Sequence, residues 1–162
     1  MKVLKKQNNS HMCIVCGMDN EFGLKAPFYE MEDGSIVSVF KYLEKHQSYP
    51  GRTHGGMITC MLDELIGRAI WITEPETWGV TTNINVRFLK PVPYNTKLIG
   101  IGKITKNNRF LFEAEGHIQD KNGTILAKAT ATYFKLKENQ IMEDPEHNEM
   151  FLVSDTVTEI DL

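Results

Sequence analysis

The sequence predicts an α+β fold in which one long helix lies across an antiparallel β-sheet. Three observations lead there. Residues 56–73 carry apolar side chains at spacings of three and four. Residues 80–88 switch to strict alternation, and three more strand-like segments follow, joined by short polar turns. The whole chain is 162 residues, enough for one sizeable core and too few for a comfortable second.

The helix is the clearest element. Ile58, Met61, Leu62, Leu65, Ala69 and Ile72 form one buried stripe. Glu74-Pro75 ends it, because proline restricts the residue before it and donates no backbone hydrogen bond. In the next strand Val80, Thr82, Ile84, Val86 and Phe88 alternate with Thr81, Asn83, Asn85 and Arg87, up to Pro91. Strands over 96–105, 110–119 and 124–136 are separated by Lys106-Asn107-Asn108 and Asp120-Lys121-Asn122-Gly123. Before the helix, 24–31 and 35–42 read as two strands around Glu32-Asp33-Gly34, and Tyr49-Pro50-Gly51 marks a loop. A sheet of hairpin-connected strands buries one face, and the single helix is the element available to cover it.

The organisation that follows is a lead-in over 1–23, polar through residue 12, a domain over 24–137 and an acidic extension over 138–162. With 41% hydrophobic and 24% charged residues, the composition is that of a soluble globular protein. No apolar run approaches the ~20 residues of a membrane-spanning helix, and the N-terminus lacks the apolar stretch of a secretory leader. The expectation is a cytoplasmic protein without a membrane partner. The formal charge of −3 argues against general nucleic-acid binding. Eight of the 21 acidic residues fall in 138–162, which has no Lys or Arg, so the body carries 13 acids against 18 bases. A basic body with an acidic tail suits an anionic small ligand, with the tail either solvated or covering a basic groove.

The stretch Pro50-Gly51-Arg52-Thr53-His54-Gly55-Gly56 runs straight into the helix. It reads either as a loop with a modest cap or as a site that offers helix N–H groups to an anion or a developing oxyanion. Asp63 lies within the helix, with Thr59 and Gly67 four residues to either side, which leaves room above the carboxylate. It is a candidate general base or nucleophile. Glu64 stands four residues before Arg68 and reads as half of a surface pair. Thr81, Asn83, Asn85 and Arg87 make a polar strand face that meets water or lines a site.

Cys13-Ile14-Val15-Cys16-Gly17 resembles half of a zinc ribbon, but no second CxxC exists, His11 and His46 fit no familiar spacing, and no metal is expected. Cys60 reads as a small apolar residue in the helix. Phosphate-binding GxxxxGK, dinucleotide GxGxxG and GxSxG nucleophile patterns are absent, so no cofactor is expected.

The segment His54-Gly55-Gly56-Met57-Ile58-Thr59-Cys60-Met61-Leu62-Asp63-Glu64 resembles the HGG…D signature of PaaI-like acyl-CoA thioesterases of the hotdog superfamily. The resemblance continues through Thr81–Pro93, a strand that begins with Ser or Thr and ends in a basic-Pro element, and through Cys13–Leu24, the CxxCG…N…GL lead-in of many members. It implies a hotdog fold, an acyl-CoA substrate, and a homodimer or homotetramer whose active sites lie at the dimer interface. It implies that Asp63 activates water or attacks the thioester, that the Gly55 N–H, near His54 and followed by Gly56, polarises the carbonyl, and that Thr81 positions the water or the acid. Many members carry Asn six residues before the His, where this chain has Ser48 with Gln47 beside it.

Further substrate contacts are expected from Asn83 and, for the CoA phosphates, from Lys90, Lys106 and Arg109 in turns or at strand ends. Met57, Met61, Trp78 and Phe88 are candidates for the acyl pocket. Two other readings stand beside hydrolysis: a protein that binds acyl-CoA without cleaving it, and a different hotdog enzyme.

Overall fold

The structure, a computed structural model, describes residues 1–141 and 150–162. In chain order its elements are β1 (Val3–Lys6), β2 (Asn9–Ser10), β3 (Tyr29–Met31), β4 (Ile36–Phe40), β5 (Gln47–Tyr49), β6 (Arg52–Thr53), α1 (Gly55–Gly67), β7 (Thr77–Phe88), β8 (Leu98–Asn107), β9 (Leu111–Gln119), β10 (Ile125–Lys137), α2 (Glu138–Ile141) and β11 (Met150–Phe151). Seven strands form one antiparallel sheet in the order β1-β3-β4-β8-β9-β10-β7. This is the hotdog architecture, a sheet wrapped around α1.

The helix forms where its apolar stripe predicts, with Ile58, Met61, Leu62, Leu65 and Ile66 buried. Truncating one of these, as in Leu62→Ala, costs about 2–5 kcal/mol. The expected helix over 56–73 divides in two: 13 residues of α-helix, then a 3-10 segment from Arg68 to Ile72 that tightens the chain before Pro75. The sheet meets the helix on a glycine floor. A Cβ added at Gly100 would lie 2.9 Å from Leu65 Cδ2, and one at Gly116 would lie 2.5 Å from Ile66 Cγ2. Side chains there would push the helix away.

Three expectations change. The strand expected over 24–31 shrinks to β3, because the Leu24 and Ala26 amides bond the carbonyls of Ile14 and Val15 and Pro27 has no N–H. Residues 1–12 are more than a lead-in: β1 is an edge strand of the main sheet. The described part of the C-terminal segment is not a solvated tail. Asp155 pairs with Lys6 at 2.8 Å and accepts from Tyr29 Oη at 2.7 Å, the N-terminal ammonium donates to the Ile160 carbonyl, and Ile160 packs with Tyr29, Met31, Val37 and Ile99. Glu143, Asp144, Glu146 and Glu149 of that segment lie outside the described residues.

A fourth change decides the site. Between β7 and β10, Thr132 faces Asn83 but Tyr133 faces Thr81, so β7 holds one extra residue, Thr82. Such a bulge reverses the in–out alternation. Ile84 and Val86 point toward the core on one side of it, and Thr81 does so on the other. Simple alternation puts Thr81 on the outer polar face with Asn83; the bulge turns it inward.

Candidate active site

Asp63 stands on the side of α1 that faces β7 and β10. Thr81 Oγ1 donates to its carboxylate, 2.9 Å from Oδ1 and 3.2 Å from Oδ2. Tyr133 Oη reaches Asp63 Oδ1 at 3.0 Å and the Asp63 carbonyl at 2.9 Å. Both shorter contacts fall on Oδ1, which leaves Oδ2 with capacity for a further donor. Burial raises the Asp63 pKa above the usual aspartate range and outweighs the Thr81 and Tyr133 donors, which pull it down; the nearby Glu64 charge adds to the rise. The carboxylate opens onto a cavity of about 320 Å³ whose walls include Trp78, Thr81, Tyr133, Glu64 and Cys13.

His54 caps the helix. Its backbone is extended, and its Nδ1 accepts the Gly56 N–H at 2.9 Å. The cap therefore consumes one of the two glycine amides and leaves that of Gly55 as the candidate donor. Gly55 precedes Asp63 by eight residues, about 12 Å along a helix. His54, Gly55 and Gly56 do not line the Asp63 cavity. Within one chain, the acid and the amide belong to separate places.

Residues 50–127 match the family model of the thioesterase superfamily. Over those residues the chain is similar to the thioesterase superfamily. Among curated relatives, mouse acyl-coenzyme A thioesterase THEM4 is 29% identical over 112 residues, 68% of this chain and 47% of that protein. The chain thus spans about half the length of that relative. Among solved structures, a thioesterase superfamily protein aligns with a TM-score of 0.70 at 22% identity, over 77% of this chain and 60% of its own. A hypothetical thioesterase protein from Streptococcus pneumoniae, solved with coenzyme A, aligns with a TM-score of 0.62 at 24% identity, over 68% of this chain and 84% of its own.

The other predicted residues scatter. Gln47 and Ser48 are exposed on β5, where Gln47 Oε1 accepts from Tyr94 Oη at 3.4 Å. Asn83 is exposed on the far side of the bulge from Thr81. Lys90 donates its amide to Leu126, whereas the Arg109 turn lies by Lys135, whose amide donates to the Phe110 carbonyl. Nine residues of β10 separate those contacts, about 30 Å, so Lys90 and Arg109 of one chain are not neighbours. Lys106 is paired with Glu113 at 3.3 Å. Of the acyl-pocket candidates Trp78 lines the Asp63 cavity, Met61 is fully buried core, and Phe88 is 55% exposed with its ring over Gly55.

Sequence reasoning missed Tyr133 and misplaced Glu64. Tyr133 continues the buried series Ala127, Ala129, Ala131, and a buried tyrosine hydroxyl needs a partner; that was the available signal. The Glu64–Arg68 pair exists at 2.7 Å but is not at the surface. Arg68 is 4% exposed, lies over the rings of Phe28 and Trp71, and donates to Cys16 Sγ and the Asn8 carbonyl. No described helix is long and apolar enough to cross a membrane.

Proposed function

We propose that the protein hydrolyses acyl-CoA thioesters to the free acid and CoA, with each active site shared by two chains of a homodimer. The observation that carries this reading is the Thr81–Asp63 hydrogen bond at the wall of an open cavity, on a helix whose glycine start lies about 12 Å away. A two-fold partner brings its own helix start to the cavity. Among the described residues the outer edge of β7, twelve residues long with Val80 exposed, is unpaired and offers the surface on which two sheets join.

In this mechanism Asp63 Oδ2 takes a proton from water while the water oxygen attacks the thioester carbonyl carbon. The Gly55 N–H of the other chain holds the developing oxyanion. Collapse of the tetrahedral intermediate breaks the carbon–sulfur bond, and the proton leaves with the CoA thiol. Thr81 and Tyr133 fix the carboxylate so that Oδ2 faces the substrate. Direct attack by Asp63 through a mixed anhydride uses the same residues. A cytoplasmic location is part of this reading.

A thiol-release assay over a panel of acyl-CoAs tests the reading. The wild type releases CoA thiol, and Asp63→Asn loses release with fold and oligomeric state unchanged; unaltered turnover in Asp63→Asn removes Asp63 from the mechanism. Ser48, standing where the resemblance to PaaI-like thioesterases implies Asn, favours a second reading, acyl-CoA binding without cleavage. That reading predicts tight binding and no free thiol from the wild type.

A further inference from the structure

The CxxC turn acquires its missing partner from the helix. The Sγ atoms of Cys13 and Cys16 and a carboxylate oxygen of Glu64 all lie within 4.8 Å of one another. We propose that these three side chains form a binding site for a divalent metal ion of zinc-like softness, which clamps the 13–17 turn onto α1 beside the Asp63 cavity.

Four features of the turn and its surroundings support this. The Val15 and Cys16 amides both point at Cys13 Sγ, at 3.3 and 3.4 Å, an arrangement that favours a thiolate. The turn is closed so tightly that a Cβ at Gly17 would sit 2.4 Å from the Cys13 carbonyl oxygen, which explains glycine after the second cysteine. Arg68 donates to Cys16 Sγ at 3.0 Å and to Glu64 Oε1 at 2.7 Å, the outer-shell contacts that orient thiolate and carboxylate ligands. Cys13, Cys16 and Glu64 also border the cavity, which gives the ion an entry path and a fourth position for water.

The charges balance. Two thiolates and one carboxylate carry −3, against +2 from the ion and +1 from the buried Arg68. Binding releases the two thiol protons to solvent and involves no change of oxidation state. Tetrahedral zinc, at about 2.0–2.3 Å from each ligand atom, asks for about an ångström of closure in the cluster. His11 and His46 stay outside the group: His11 pairs with Asp19, and His46 accepts from the Leu43 amide and contacts the Phe22 carbonyl. The proposal is independent of thioester hydrolysis.

Cobalt titration of the full chain, metal-stripped and kept reduced, tests it. One equivalent of Co²⁺ generates an intense thiolate-to-cobalt charge-transfer absorption, and Zn²⁺ abolishes it mole for mole. C13S and C16S each lose the absorption, Glu64→Gln binds more than about tenfold more weakly, and C60S, altered one turn away, keeps it. Circular dichroism accompanies each variant; if C16S, altered at a buried residue, unfolds, the half-exposed C13S decides the matter. Zn²⁺ raises the melting temperature of the wild type and leaves that of C13S unmoved. No absorption at stoichiometric cobalt, an absorption that survives in C13S, unchanged affinity in Glu64→Gln, or loss in C60S overturns the assignment.

Discussion

Thr81 and Tyr133 are cross-strand partners on β7 and β10, and both hydroxyls converge on one oxygen of Asp63. The Thr82 bulge makes this possible by turning Thr81 toward the helix. The carboxylate is thereby held from the sheet side, with Oδ2 left with capacity for a further donor.

Thr81→Ala removes a hydrogen bond to an ionised acceptor, a class worth about 1.5–3 kcal/mol. Thioester turnover is expected to fall about 10- to 100-fold, while Thr81→Ser, which keeps the hydroxyl, retains most of it. Steady-state thiol release measures both. Equal loss in the two variants would point to the Thr81 methyl group instead.

Gly55→Pro deletes the proposed oxyanion donor without breaking the helix. Gly55 is the first helical residue, where proline is tolerated, and His54 already has φ −64° and ψ 135°, the extended backbone that proline imposes on its predecessor. Losing such a donor costs about 3 kcal/mol of barrier, so kcat is expected to fall by about two orders of magnitude with the melting temperature nearly unchanged. Full activity in Gly55→Pro would reject the amide.

Much of this was legible in the sequence, for physical reasons. The stripe Ile58–Ile72 and the hairpin turns from 106 onward are local patterns, and α1, β8, β9 and β10 follow them closely. Asp63 stands out because an acid on a core-facing helix with small neighbours needs an explanation. The bulge at Thr82 was not legible, because one inserted residue leaves no mark in an alternation of Thr, Asn and Val. Nor was the docking of the C-terminal segment: Asp155 and Ile160 find Lys6 and Met31 across more than a hundred residues of chain. The burial of Arg68 was hidden for the same reason, since its partners Asn8, Cys16 and Phe28 come from a segment with no periodic pattern.

Lys135 donates to both oxygens of Glu74, at 2.7 and 2.9 Å, tying β10 to the end of the helical segment. That hydrogen bond, joined by Asn107, holds the Glu74 carboxyl below the usual glutamate range. A pKa depressed by folding gives stability that is complete above the unfolded value of about 4.3 and is lost as pH falls through the lower folded value. The melting-temperature gap between wild type and Glu74→Gln should be constant near neutrality and close as acid is added below about pH 4. A gap that widens on acidification would contradict the pairing.

The sharing of one active site between two chains is tested most directly by subunit complementation. Asp63→Asn and Gly55→Pro alone each retain no more than about a hundredth of wild-type activity; they are then unfolded together, refolded as a mixture and assayed for thiol release. If acid and amide come from opposite chains, each mixed dimer regains one intact site, and random pairing restores about a quarter of wild-type activity. If both come from the same chain, every site keeps a lesion, and a mixture as inactive as its parents would contradict the shared site.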